Sequence, residues 1–172
     1  MFKPKKATQK PEDFAHAYDY AVFLLSLKLR TVGEVLTKMK ARGYSERVID
    51  QVLERLKENK YLDDQRYAEI FLENLKAYRS FGFYGIKKKF MEKKVPPEII
   101  EAVLGQGLSV AEETKIAERL LKKEGFEVKK PAEDEEIQYR TFDEDSSKQK
   151  AKIANRLKSR GFRGEVISRL LF

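Results

Sequence analysis

One twelve-residue pattern occurs three times in this chain, and that repetition constrains its fold more than any other feature. The stretches are RGYSERVIDQVL (Arg42 to Leu53), KKVPPEIIEAVL (Lys93 to Leu104) and RGFRGEVISRLL (Arg160 to Leu171). Aligned on Gly43, Lys94 and Gly161, they run without gaps. Tyr44, Val95 and Phe162 fill one apolar position, Ile49, Ile100 and Ile167 a second, and Leu53, Leu104 and Leu171 a third. Upstream, Val35, Ile86 and Ile153 correspond, as do Met39, Phe90 and Leu157. Such self-similarity is the mark of a repeat protein.

The apolar spacings are three and four, which predicts helices rather than strands. In the first copy the pair covers about 31–42 and 45–58. Thr31 and Glu34 have the spacing of a capping box, and Ser45 is placed to cap the second helix. Gly43 and Gly161 stand where a left-handed C-terminal residue is wanted, and Pro96 and Pro97 suit a first helical turn. A further helix precedes each pair, at Asp13 to Lys28, at Asp64 to Tyr78 with Asp64 as cap, and at Ser109 to Lys123 with a Ser109–Glu112 box. The predicted fold is all-α: three tandem three-helix repeats forming an elongated, curved array. The expected organisation is a flexible basic N-terminus at 1–12 and repeats at 13–62, 63–107 and 108–172. A unit of this size buries little alone and gains by stacking on its neighbours. The third repeat carries an insertion at about 126–146, with seven acids between Glu133 and Asp145, which predicts a solvated loop.

Charge narrows the partners. The chain of 172 residues has a formal charge of +8, which favours an anionic partner. From Ser147 to Phe172 eight Lys or Arg face one acid, Glu165. Lys38, Lys89 and Arg156 share one repeat position, and Arg42, Lys93 and Arg160 another, four residues on. Together they predict one basic stripe per middle helix, off the apolar line. Equivalent stripes on stacked copies would form a ladder for a polyanion. Lys148, Lys152 and Arg163 lie beside it, with Lys40, Lys87, Lys88 and Lys158 as secondary candidates. The plainer reading of any one of these cations is complementarity to a helix C-terminus. The segment YRSFGFYG (Tyr78 to Gly85) mixes arginine, glycine and aromatics, which suits either base stacking or a staple on the following helix.

Catalytic signals are absent. Cysteine is missing, the one histidine is His16, and no Walker loop or zinc-ligand spacing occurs. The GQG at Gly105 to Gly107 lacks a third glycine and reads as a turn. Asp63 and Asp64 read as caps, and Leu62 and Tyr67 as packing residues. The expectation is a non-enzymatic, cofactor-free, monomeric and cytoplasmic binding protein with no membrane span and no secretory leader.

With the repeats laid out, the chain resembles the RecX family, regulators of the bacterial recombinase RecA, from about Tyr18 to the C-terminus. The resemblance is carried by LKENKYLDDQRYAEIFLENL (Leu56 to Leu75), RTVGEVLTKMKARGYSERVIDQVLERL (Arg30 to Leu56) and FGFYGIKKKFMEKKV (Phe81 to Val95). Phe83 stands where proline is common in the family, and Gly85 where arginine is. The resemblance implies a modulator that binds the RecA–DNA filament and restrains ATP hydrolysis, strand exchange and co-protease activity, some relatives also binding DNA directly. The basic residues named above are then expected to contact the phosphates of single- or double-stranded DNA or an acidic RecA surface. Two rival readings are a stand-alone helix-turn-helix DNA-binding protein and a helical adaptor for another acidic protein.

Overall fold

The computed structural model describes residues 7–126 and 144–172, with the backbone alone for 144–146. Nine α-helices and no strand occur among them. They run α1 (Phe14–Leu27), α2 (Val32–Arg42), α3 (Glu46–Glu58), α4 (Asp64–Tyr78), α5 (Phe83–Glu92), α6 (Pro97–Gly107), α7 (Val110–Lys123), α8 (Glu144–Ser159) and α9 (Gly164–Leu171). Helix α8 starts inside the stretch expected to be loop; the remainder of that acidic stretch, 127–143, lies outside the described residues.

The repeated apolar positions are the core. Val35, Met39, Tyr44, Ile49 and Leu53 are buried, as are Ile86, Phe90, Val95, Ile100 and Leu104, and Ile153, Leu157, Phe162, Ile167 and Leu171. Burying each such side chain contributes about 1.5–3 kcal/mol. The turn after each middle helix is left-handed in all three copies, with φ of 90° at Gly43, 58° at Lys94 and 78° at Gly161. Tyr67 is half-buried, and that burial pushes its hydroxyl up to about 12.

Three local features differ from expectation. Asp63, not Asp64, caps α4 by accepting the Arg66 N–H at 2.9 Å. Thr31 accepts the Glu34 N–H at 3.0 Å, yet the Glu34 carboxylate turns to Lys93 instead of completing a box. Gly105 and Gly107 lie within α6 and are not a turn. Gly107 is there because α4 comes close: a Cβ would lie 2.6 Å from Leu72 Cδ2.

The chain divides into two compact units. The first holds residues up to Ile70 together with Phe90–Glu101; the second holds Phe71–Lys89 and Ala102–Phe172. The cuts fall inside α4, α5 and α6, so the middle repeat is shared between the units.

Each unit contains one joint between successive middle helices. In the first unit the end of α5 meets the start of α2. The Thr31 hydroxyl donates to the Lys93 carbonyl at 2.6 Å, Lys93 Nζ lies 3.3 Å from Glu34, and the Val32 N–H donates to Asp64 Oδ1 at 2.9 Å. In the second unit the end of α8 meets the start of α5. The Gly82 N–H donates to the Arg160 carbonyl at 3.1 Å and the Tyr84 N–H to the Gly161 carbonyl at 2.8 Å. The Phe83 N–H donates to Glu113 Oε1 at 2.9 Å. In the repeat alignment Val32 corresponds to Phe83. In both joints, therefore, a carboxylate from the next repeat's first helix takes an N–H that the helix start leaves without an intrahelical acceptor.

The corresponding turn of the first repeat is covered by the N-terminal segment. The Thr8 N–H donates to the Arg42 carbonyl at 2.7 Å, and the Ser45 N–H donates to the Pro11 carbonyl at 3.1 Å. The Ser45 hydroxyl reaches Glu12 at 2.8 Å. Residues 8–12, within the stretch expected to be a flexible N-terminus, thus hydrogen-bond to the first repeat.

Candidate functional site

The basic residues predicted from the repeat pattern fall into contrasting surroundings. Lys38 projects from α2 and makes no ion pair among the described residues. At the matching repeat position, Lys89 Nζ lies 5.7 Å from the Phe81 ring centre, and Arg156 grips Glu124, its Nε 3.0 and 2.8 Å from the two carboxylate oxygens. That hydrogen-bonded pair lowers the Glu124 carboxyl from its ordinary range. At the second shared position, Arg42 sits 5.7 Å over Tyr20, Lys93 pairs with Glu34, and Arg160 sits 5.5 Å over Phe81. Sequence equivalence therefore does not carry over into equivalent environments. The main chains at Arg42, Lys93 and Arg160 share one task, presenting a carbonyl to the segment that covers the turn.

Arg163, at the start of α9, is a structural cation. Its N–H donates to Glu113 Oε1 at 2.9 Å, its guanidinium pairs with Glu113 Oε2, and it lies 5.0 Å over Phe83. Lys40 pairs with Glu46 at 2.7 Å. Lys152 is exposed and lies 5.8 Å from the Phe126 ring, while Lys148, Lys88 and Lys158 are exposed and Lys87 is half-buried. An ion pair inside the chain lowers the net field that a polyanion meets, so the available charge resides mainly in the exposed lysines.

Sequence reasoning missed two groups. Glu113 is wholly buried, although α7 reads as a helix with an ordinary acidic first turn. Lys76 donates to Glu73, Glu112 and the Gly107 carbonyl at 3.0, 2.8 and 2.9 Å, closing the end of α6 onto α7. Apart from the local Glu73–Lys76 pair on α4, their partners are distant in sequence, so no local pattern marks either group. His16 makes a 2.8 Å hydrogen bond with the Tyr44 hydroxyl. Among the described residues no cluster of His, Asp and Glu is arranged to hold a metal ion, and no helix is long and apolar enough to cross a membrane.

Three successive three-helix groups, with cations on and around their middle helices, define the class as an all-α protein of tandem three-helix domains. Sequence models of the RecX first and second three-helix domains match residues 17–56 and 63–104. The chain belongs to the RecX family. The regulatory protein RecX of Finegoldia magna is 34% identical over 125 residues, covering 67% of this chain and 61% of that protein. That of Geobacillus sp. is 31% identical over 160 residues, covering 93% and 54%. That of Trichlorobacter lovleyi is 27% identical over 165 residues, covering 95% and 96%. The chain spans little more than half the length of the first two and nearly all of the third. In fold it is similar to the crystal structure of RecX from Lactobacillus salivarius, with a TM-score of 0.74 at 21% identity, covering 93% of this chain and 95% of that one.

Proposed function

We propose that the protein is a non-catalytic, monomeric regulator that binds the RecA–DNA filament and restrains RecA ATP hydrolysis, strand exchange and co-protease activity in recombination and SOS repair. The observation that carries this reading is the match of two RecX domain models, in order, to the first two three-helix groups. The mechanism is occupancy: a protein bound across neighbouring filament subunits hinders the motions that ATP turnover needs. The exposed Lys148, Lys152 and Lys158, with the half-buried Lys38, supply the attraction to DNA phosphate or acidic RecA surface. Lys40, Lys93, Arg156 and Arg163 hold the fold through carboxylates. A helix-turn-helix reading is disfavoured by the exposed Asp50, Glu54 and Glu58 of α3, which would face phosphate.

The test is RecA ATPase on single-stranded DNA with increasing amounts of protein. Wild type lowers the rate, and a Lys38→Glu/Lys158→Glu variant requires several-fold more protein for the same effect. A wild-type protein without effect removes the RecA assignment. Equal potency of the two removes the lysines as its cause.

A further inference from the structure

The loop between α4 and α5 presents aromatic rings in two different ways. Phe81 and Phe83 are half-buried and lie under cations: Lys89 and Arg160 over Phe81, Arg163 over Phe83. Tyr78 and Tyr84, at the two ends of the same loop, are 82% and 59% exposed. The loop between them is fixed, since the amides of Gly82, Phe83 and Tyr84 are bound by Arg160, Glu113 and Gly161. It is also closely packed: a Cβ on Gly82 would overlap Phe162, and one on Gly85 would overlap the Arg160 carbonyl. The rings are therefore carried by a rigid support, and binding to them need not order the loop.

Cations flank the exposed rings. Lys88 lies one turn beyond Tyr84 on α5 and is exposed, as is Arg79 next to Tyr78. Lys158 is exposed on α8, whose C-terminal turn holds the Tyr84 amide. None of these three forms an ion pair among the described residues. The nearby acid Glu113 is taken up by Arg163 and Phe83, and Glu124 by Arg156. Exposed aromatic faces beside uncompensated positive charge match one ligand chemistry well: unpaired bases on a phosphate backbone. Duplex DNA satisfies the cations but keeps its base faces stacked internally, and an acidic peptide gives the rings no planar partner.

We propose that Tyr78 and Tyr84 stack bases of single-stranded DNA while Arg79, Lys88 and Lys158 neutralise its phosphates. The inference deepens the filament-binding reading, whose target contains such a strand, but it is tested without RecA. Fluorescence anisotropy with the full chain compares labelled oligothymidylate, an abasic strand of equal length and charge, a duplex and oligouridylate. Wild type prefers oligothymidylate to the abasic strand and to the duplex. Tyr78→Ala/Tyr84→Ala weakens oligothymidylate binding about thirtyfold or more and erases the preference over the abasic strand. Tyr78→Phe/Tyr84→Phe retains both. Arg79→Gln/Lys88→Gln/Lys158→Gln weakens both strands alike and reduces the salt dependence. The proposal is overturned if the alanine pair binds like wild type, if the phenylalanine pair fails like the alanine pair, or if the abasic strand or duplex binds as well as oligothymidylate. Tighter binding of oligouridylate overturns the assignment to DNA. If RecA ATPase is still lowered in any of those cases, the filament reading stands and only this site is lost.

Discussion

Arg163 binds the fully buried carboxylate of Glu113 twice, through its backbone N–H at 2.9 Å and through its guanidinium. The same carboxylate takes the Phe83 N–H, so one side chain serves the starts of both α5 and α9. Glu113→Ala leaves two amides and a guanidinium without their acceptor. It should cost roughly 3 kcal/mol or more, read as a lowered urea midpoint, with amide exchange accelerated first at Phe83.

Lys76 holds the Glu112 carboxyl well below its ordinary 4.5, at about 2, with help from the Ser109 N–H and hydroxyl. Folding therefore favours the ionised form of Glu112. Its contribution is complete above about 4.5 and is lost as pH falls from there through about 2. Urea midpoints from pH 7 down to pH 2.5 should show part of this loss in wild type, and Glu112→Gln should flatten that part of the slope. Lys76→Met, which leaves the Gly107 carbonyl and two carboxylates without their donor, should destabilise at neutral pH by about 2 kcal/mol.

Two glycines of α6 should respond to alanine with opposite signs. A Cβ at Gly105 meets nothing within 4 Å, so Gly105→Ala gains helix propensity of about 0.5–1 kcal/mol. At Gly107 it would press on Leu72, and the α4 packing must yield. Thermal melts of the two variants, run beside wild type, separate these effects; a destabilised Gly105→Ala would contradict the open environment.

Thr8→Pro removes the donor to the Arg42 carbonyl without altering the helices. The expected cost is about 1 kcal/mol. The specific sign is faster hydrogen exchange at the Ser45 amide, whose acceptor is Pro11, with the α9 amides unchanged.

Much of the fold was legible because its signals are local. Apolar spacings of three and four placed the helices, and Ser45, Ser109, Gly43 and Pro97 marked their ends. The site was far less legible. Glu124 captures Arg156 from 32 positions away, and Glu34 captures Lys93 from 59. A repeat alignment treats Lys38, Lys89 and Arg156 as equals because it compares positions and not neighbours. Gly85 illustrates the same limit from the other side. Against the family it looks like a lost arginine, whereas in the structure any side chain there would collide with the turn after α8.

The division of the middle repeat sets where this protein can be taken apart. Chimaeras between homologues spliced at the expected repeat borders, 62/63 or 107/108, swap only one partner of the Asp64–Val32 or Glu113–Phe83 contact. Crossovers near 70/71, 89/90 and 101/102, inside helices, keep each compact unit with its own partners. Sequence repetition and physical cohesion thus suggest different borders, and a recombination library should register the second.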